Sequence, residues 1–193
     1  MKGTIVIVGV GALGSHLVLL ARNWPHPIKV VDFDRVETKN ILSQFHTKMA
    51  SGRNKAQGLQ QAMLGMFGLK VDAVPHKLTP DNAKAILGGA GLVIDCTDNA
   101  AARRCIQGLV RTEGIPCLHG CLSAAGDFAR IVWDEHFKED EEGTEGAATC
   151  ENGDNLPFHA LAAAQIAINA QVFLKMGMKR SMMLMPDKSI RLA

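Results

Sequence analysis

Three glycines in the run Val8-Gly9-Val10-Gly11-Ala12-Leu13-Gly14 have the spacing with which a polypeptide can cradle an anion. An apolar run, residues 4–8, leads in, and a helical pattern, residues 15–22, leads out. In that setting Gly9 permits a tight turn, Gly11 lets the backbone approach a ligand with no Cβ in the way, and Gly14 lets the helix lie close to the strand. The helix then offers its free N–H groups and positive dipole end to the anion. A glycine-rich turn without a ligand is the plain alternative.

Three further segments suit such a ligand. In Val31-Asp32-Phe33-Asp34-Arg35-Val36-Glu37-Thr38-Lys39-Asn40, Asp32 lies about 20 residues past the glycine turn, where an acid can hydrogen-bond both hydroxyls of a ribose. A nicotinamide dehydrogenase would use an acid there equally well, and Asp32 could also simply cap its loop. In Ser51-Gly52-Arg53-Asn54-Lys55, Ser51 can cap the helix that follows, and Arg53 and Lys55 fall in its first turn, where the dipole disfavours cations. A triphosphate is one reason to place bases there; a solvated helix start is the other reading. In Ile94-Asp95-Cys96-Thr97-Asp98-Asn99-Ala100, Asp98 follows a strand and so lies on the side where open α/β sheets bind ligands. A carboxylate beside phosphates is repelled unless a metal intervenes, and Mg²⁺ is held by one or two carboxylates plus phosphate oxygens. Asp98 with Asp34 can supply them; alternatively Asp98 is the N-cap of the next helix.

These groups must be positioned by alternating strands and helices. Apolar runs at 4–8, 28–32, 69–74, 92–95 and 116–119 predict strands, and the patterns at 12–23, 53–66, 80–87 and 99–112 predict helices. Thr79-Pro80-Asp81 reads as a helix start with Pro at its first position. Continuous apolar strands are buried on both faces, so the first 120 or so residues predict a doubly wound, Rossmann-like, mainly parallel α/β sheet. Residues 34–47 are irregular, with room for a helical turn. Residues 127–134 alternate as an antiparallel strand, 135–155 read as a mobile acidic crossover loop, and 181–185 with 188–192 form a closing antiparallel hairpin. The stretch 158–175 is apolar nearly all round and predicts burial in a core or subunit interface. Residues 1–193 are expected to make one domain.

Composition narrows the classes. Seven of the 19 acids and one of the 21 bases fall between Asp134 and Glu145, leaving 20 bases against 12 acids elsewhere, a balance of +8. A basic body suits an anionic small ligand, and no basic tail or basic–aromatic interleaving points to nucleic acid. Five cysteines without CxxC spacing predict a reduced, cytoplasmic compartment. Residues 4–21 are apolar, but three glycines and His16 interrupt them and no cleavage site follows; no other stretch is expected to span a membrane.

The set GVGALGS, VVDFDRVETKN, GRNK and DCTDN, in this order and spacing and continuing through FARIVWD to the last apolar helix, resembles the ThiF/MoeB/HesA family, relatives of ubiquitin-activating enzymes. The resemblance implies binding of ATP and Mg²⁺ and of the Gly-Gly tail of a ubiquitin-like or sulfur-carrier protein. The tail carboxylate attacks the α-phosphate, giving an acyl-adenylate and pyrophosphate, by positioning and charge neutralisation. It further implies that Asp32 holds the ribose, Lys55 the phosphates and Asp98 the Mg²⁺, that Asn40 lies near both, and that Gly9, Gly11 and Gly14 shape the pocket. A reactive cysteine that accepts the acyl group or joins sulfur transfer corresponds to Cys150, with Cys121 as the weaker choice, and a homodimer is the family expectation.

The chain departs from the family pattern at Asn40-Ile41-Leu42-Ser43-Gln44, where Ser43 replaces an arginine that contacts the triphosphate. Arg53 is the candidate substitute. Paired CxxC motifs for zinc are absent. Two other functions stay open: a nicotinamide-dependent oxidoreductase, for which no catalytic His/Lys/Tyr set stands out, and a non-catalytic nucleotide-binding partner subunit. His46, His76 and His119 read as ordinary polar or core residues.

Overall fold

Short runs of β-branched residues form the central strands. Ile5–Val8 (β1), Ile28–Val31 (β2), Val71–Val74 (β3) and Leu92–Asp95 (β4) are four residues each. They are followed by Cys117–Leu122 (β5), Ala129–Trp133 (β6), Ser181–Met185 (β7) and Lys188–Leu192 (β8). The computed structural model describes residues 3–138, 153–186 and 188–192. Its sheet has the order β3-β2-β1-β4-β5-β6-β7-β8. Pairing is parallel from β3 to β5 and antiparallel from β5 to β8, as the sequence predicts.

Five helices cover the sheet: Gly14–Leu20 (α1), Lys55–Phe67 (α2), Pro80–Leu87 (α3), Ala100–Glu113 (α4) and Leu156–Met176 (α5). Alternation along each strand divides the core. Ile5 and Ile7 of β1 pack with Leu17 of α1, Leu59 of α2 and Ile166 of α5. Val6 and Val8 pack with Leu87 of α3 and Ile106 and Val110 of α4 on the opposite face. Strands β1 and β4 are thus buried on both sides, which is why they carry no polar alternation. Strand β1 pairs with both β2 and β4, so the winding reverses there, and the ends of β1 and β4 open into the crevice where such sheets take ligands.

Several boundaries differ from expectation. Helix α1 is shorter than 12–23, because residues before Gly14 stay in the glycine turn and the Ser15 hydroxyl donates to Gly11 O at 2.6 Å. Strand β5 runs past 119 to Leu122, because the hairpin with β6 continues its ladder. The expected turn within 34–47 is a 3₁₀ segment, Thr38–Leu42, and a second follows at Lys48–Ala50. The segment 135–155 is not all loop: Asp134–His136 is a 3₁₀ turn, and α5 begins at Leu156. Residues 139–152, including most of the acidic stretch and Cys150, lie outside the described residues. Helix α5 is long and apolar enough to cross a membrane by length and composition. Phe158, Ala162, Ile166, Ala170 and Phe173 instead bury one side of it in the core, while Leu161 and Ile168 are exposed.

Candidate active site at the carboxyl ends of β1, β2 and β4

The glycine turn is wedged between its neighbours. Gly9 N–H donates to Val31 O and Cys96 N–H to Val8 O, both at 2.8 Å, so the turn is tied to β2 on one side and the β4 end on the other. Gly9 has φ +84°, and a Cβ there would stand 2.8 Å from Cys96 O. A Cβ on Gly14 would stand 1.9 Å from Gly9 O. These two glycines are therefore required by the backbone packing itself. A Cβ on Gly11 would meet only the Gln44 side chain, at 3.8 Å, so the face of Gly11 is open for a ligand.

At the end of β2, the nearly buried Asp32 accepts from Val10 N–H at 2.8 Å (Oδ2) and from Asp34 N–H at 2.9 Å (Oδ1). One acid thus locks the glycine turn to its own loop and keeps lone pairs for a further donor. Burial pushes its carboxyl up from the ordinary value, against the pull of Lys55 and the two backbone N–H groups. Lys55, at the start of α2, is itself largely buried, and its Nζ lies 3.3 Å from Asp34 Oδ2. Asn54 holds this start in place: its Oδ1 accepts from Gln57 N–H, and its Nδ2 donates to Asp32 O at 2.8 Å and Asp34 O at 3.2 Å. Asn54, not Ser51, is the N-cap of α2.

Beyond β4, Asp98 is exposed, and the N-cap of α4 is Asn99, whose Oδ1 accepts from Ala102 N–H at 3.0 Å. The alternative that Asp98 caps this helix is therefore overturned. Among the described residues no cluster of three or more His, Cys, Asp or Glu side chains could hold a metal. Asp34 beyond β2 and Asp98 beyond β4 are hard oxygen donors on the two strands that flank β1, a set that fits Mg²⁺ sharing phosphate oxygens and not an all-protein cage.

Other expected residues are placed less directly. Asn40 is buried, and its Oδ1 accepts from Glu37 N–H at 3.0 Å in a reciprocal cap of the 3₁₀ segment. Arg53 donates along α2 to Gln61 Oε1 and, with Arg35, Gln57 and Gln60, lines a polar cavity that contains none of the glycine-turn residues. Cys121 is within β5, not after it, and burial pushes its thiol up, which opposes nucleophilic use. Cys96, Cys105, Cys117 and Cys121 are free thiols.

Two groups of residues go beyond what the sequence patterns point to. The first surrounds the glycine turn. His46 Nε2 lies 2.8 Å from Val10 O, and His16 Nε2 lies 3.1 Å from Ser43 O. Burial pulls the His46 imidazole down to about 4 and lowers His16 and His159 as well. Ser43 Oγ, Gln44 Oε1 and His46 Nδ1 are buried without a hydrogen-bond partner. Such atoms are costly unless something polar reaches them. The second group is charged. His119, fully buried on β5, places Nδ1 2.8 Å from Asp95 Oδ2 and Nε2 3.1 Å from Asp134 Oδ1. Burial alone would lower this imidazole, but the hydrogen bonds to Asp134 and Asp95 outweigh it and push it up to about 12. An ionisable residue inside an apolar strand is the only sequence signal for it; one of its acids ends β4 and the other opens the 3₁₀ turn after β6.

The chain is similar to several known proteins. A SAMP-activating enzyme E1 of Haloferax volcanii is 30% identical over 125 residues, covering 63% of this chain and 46% of that protein. A sulfur carrier protein adenylyltransferase of Thermus thermophilus is 32% identical over 124 residues, again 63% and 46%. A probable adenylyltransferase/sulfurtransferase MoeZ of Mycobacterium tuberculosis is 29% identical over 134 residues, 68% of this chain and 34% of that protein. The chain thus spans a third to a half of the length of these relatives. Among solved structures, E. coli MccB with ATP superposes with a TM-score of 0.77 at 14% identity, over 98% of this chain and 63% of that one, a likeness of fold. The ThiF family pattern itself matches residues 1–168, most of the chain, and the chain belongs to the ThiF family.

Proposed function

We propose that this chain binds ATP at the glycine turn and adenylates the C-terminal carboxylate of a ubiquitin-like or sulfur-carrier protein. The observation that carries the reading is the gathering of the open Gly11 face, the Asp32–Asp34–Lys55 cluster and the exposed Asp98 at the carboxyl ends of adjacent strands. Gly9, Gly11 and Gly14 shape the phosphate turn, and Asp32 accepts from the ribose. Lys55 leaves Asp34 to pair with phosphate oxygens, and Asn40 lies near them. A carboxylate oxygen of the carrier tail bonds to the α-phosphorus, the bond to the bridging oxygen breaks, and pyrophosphate leaves. Mg²⁺, held by Asp98 and Asp34, would supply neutralisation of the triphosphate charge.

Ser43 stands where the arginine is expected, and the orphaned polar atoms of Ser43, Gln44 and His46 give that side of the turn donors and acceptors of its own. Arg53 contributes only if it leaves Gln61. Cys150 is proposed as the acceptor of the acyl group: its thiolate bonds to the acyl carbon of the adenylate, the bond to the phosphate oxygen breaks, and AMP leaves. A partner tail ending in Gly-Gly fits an approach past the side-chain-free Gly11. A homodimer of one-domain chains is part of the proposal, and the free thiols of Cys96, Cys105, Cys117 and Cys121 suit the reduced compartment of the cytoplasm.

The test is ATP–pyrophosphate exchange, measured with purified chain and a small carrier protein ending in Gly-Gly. Exchange that depends on both ATP and the carrier supports the reading. ATP binding without exchange selects a nucleotide-binding partner subunit, the reading that Ser43 favours. Failure to bind ATP overturns both.

A further inference from the structure

We propose that His119 is a positioning residue that, clamped between Asp95 and Asp134, fixes the loop carrying Asp98. The inference rests on the adenylation reading, since Asp98 needs a fixed place only if it serves the nucleotide.

Asp95 is the last residue of β4, three before Asp98. Its Oδ1 accepts from Thr97 N–H at 2.9 Å and from Thr97 Oγ1 at 2.7 Å. Arg103, on α4, donates through Nη2 to Thr97 O at 2.5 Å. Every polar group of Thr97, the residue before Asp98, is therefore held, and two of its three bonds go to one oxygen atom of Asp95. What holds Asp95 is His119, through Oδ2 at 2.8 Å, with Arg103 Nε 3.9 Å from the same oxygen.

The far side of the imidazole is fixed as firmly. Asp134 Oδ1 takes His119 Nε2 at 3.1 Å and Gln107 Nε2 at 3.0 Å, while Arg111 Nε reaches Asp134 Oδ2 at 2.7 Å. The Phe137 ring stacks on His119 with centroids 4.2 Å apart. With a carboxylate at each nitrogen, both nitrogens must donate, so the ring sits as an imidazolium between two acids. A neutral ring would turn a lone pair toward one of them. Buried charge assemblies of this kind seldom add net stability over an apolar core of the same shape, so their use is better sought in holding a geometry. Here the chain of bonds runs from α4 through Asp134, His119 and Asp95 to the backbone beside Asp98.

The experiment compares wild type, His119→Asn and Thr97→Val. Asparagine can reach only one of the two acids, and valine removes the Thr97 hydroxyl while leaving the buried charges intact. Amide hydrogen exchange is measured on the nucleotide-free protein, and ATP affinity is measured with and without Mg²⁺. The expected result is about tenfold faster exchange at residues 97–99 in both variants, unchanged exchange in β1, and about a tenfold rise in the Mg²⁺ needed for half-maximal tightening of ATP. ATP affinity without Mg²⁺ stays within about twofold, because the Asp32 side of the site is untouched. Wild-type loop exchange and wild-type Mg²⁺ dependence in the folded variants would overturn the proposal. If His119→Asn does not fold, Thr97→Val alone decides. A wild type that binds no ATP under either condition removes the adenylation reading, and this inference with it.

Discussion

Lys55 Nζ lies 3.3 Å from Asp34 Oδ2, with the lysine side chain 11% exposed and the aspartate side chain 50% exposed. The pair joins a nearly buried cation to an acid that faces solvent, at a helix start where the dipole opposes a positive charge. Such a cation is poised to exchange its carboxylate for a stronger anion. Lys55→Ala is expected to lower ATP affinity and exchange rate about 10- to 100-fold, the range of a lost charge-assisted hydrogen bond. Calorimetric titration with ATP checks this, and unaltered affinity would remove Lys55 from the site.

Gly14 and Gly11 separate folding from binding. Gly14→Ala drives a methyl to 1.9 Å from Gly9 O, and the helix cannot retreat without opening the core around Leu17. A loss of at least ~2 kcal/mol is expected in urea unfolding. Gly11→Ala meets only the movable Gln44 side chain, at 3.8 Å. It should leave the unfolding midpoint within error while weakening ATP at least ~10-fold, because the methyl occupies the open face of the turn.

Asp32→Asn tests the lock between the turn and β2. Both carboxylate oxygens accept from backbone N–H groups, those of Val10 and Asp34. An amide NH₂ must face one of these donors, leaving it unsatisfied in a nearly buried place. The expected cost is about 1–3 kcal/mol of stability together with weaker ATP binding. A variant of wild-type stability would show that the lock contributes nothing.

Two histidines set opposite limits on stability with pH. His119 faces Asp95, Asp134 and Cys117, with Arg103 and Arg111 behind the acids, and is pushed up to about 12. Its contribution is complete below the unfolded value of about 6.5 and declines as pH rises from there toward the folded one. His46 faces Val10 O, with Lys55 and His16 nearby, and burial pulls it down to about 4. The unfolded chain takes up a proton from about pH 6.5 downward that the folded His46 refuses, so stability falls as pH drops through that window. The unfolding midpoint should peak near pH ~6.5, with His46→Gln flattening the acid limb. A midpoint that climbs steadily from about pH 7 to 9 would contradict the His119 assignment.

The alternation of elements, the buried parallel strands, the antiparallel end and the glycine turn are legible in the amino-acid order, because each follows from local periodicity and from residues few positions apart. That order also puts Asp32, Asp34, Lys55 and Asp98 at element ends, which strand–loop–helix punctuation makes readable. How those ends share their work emerges only from the folded arrangement. Asn54 rather than Ser51 caps α2, Asn99 rather than Asp98 caps α4, and Arg53 turns to Gln61. The ionic clamp of Asp95, His119 and Asp134 joins β4, β5 and the 3₁₀ turn after β6, whose neighbourhood depends on sheet order, and no spacing along the chain encodes it. Covalent neighbours constrain torsions and faces; hydrogen-bond partners tens of residues apart are chosen only when the whole sheet closes around them.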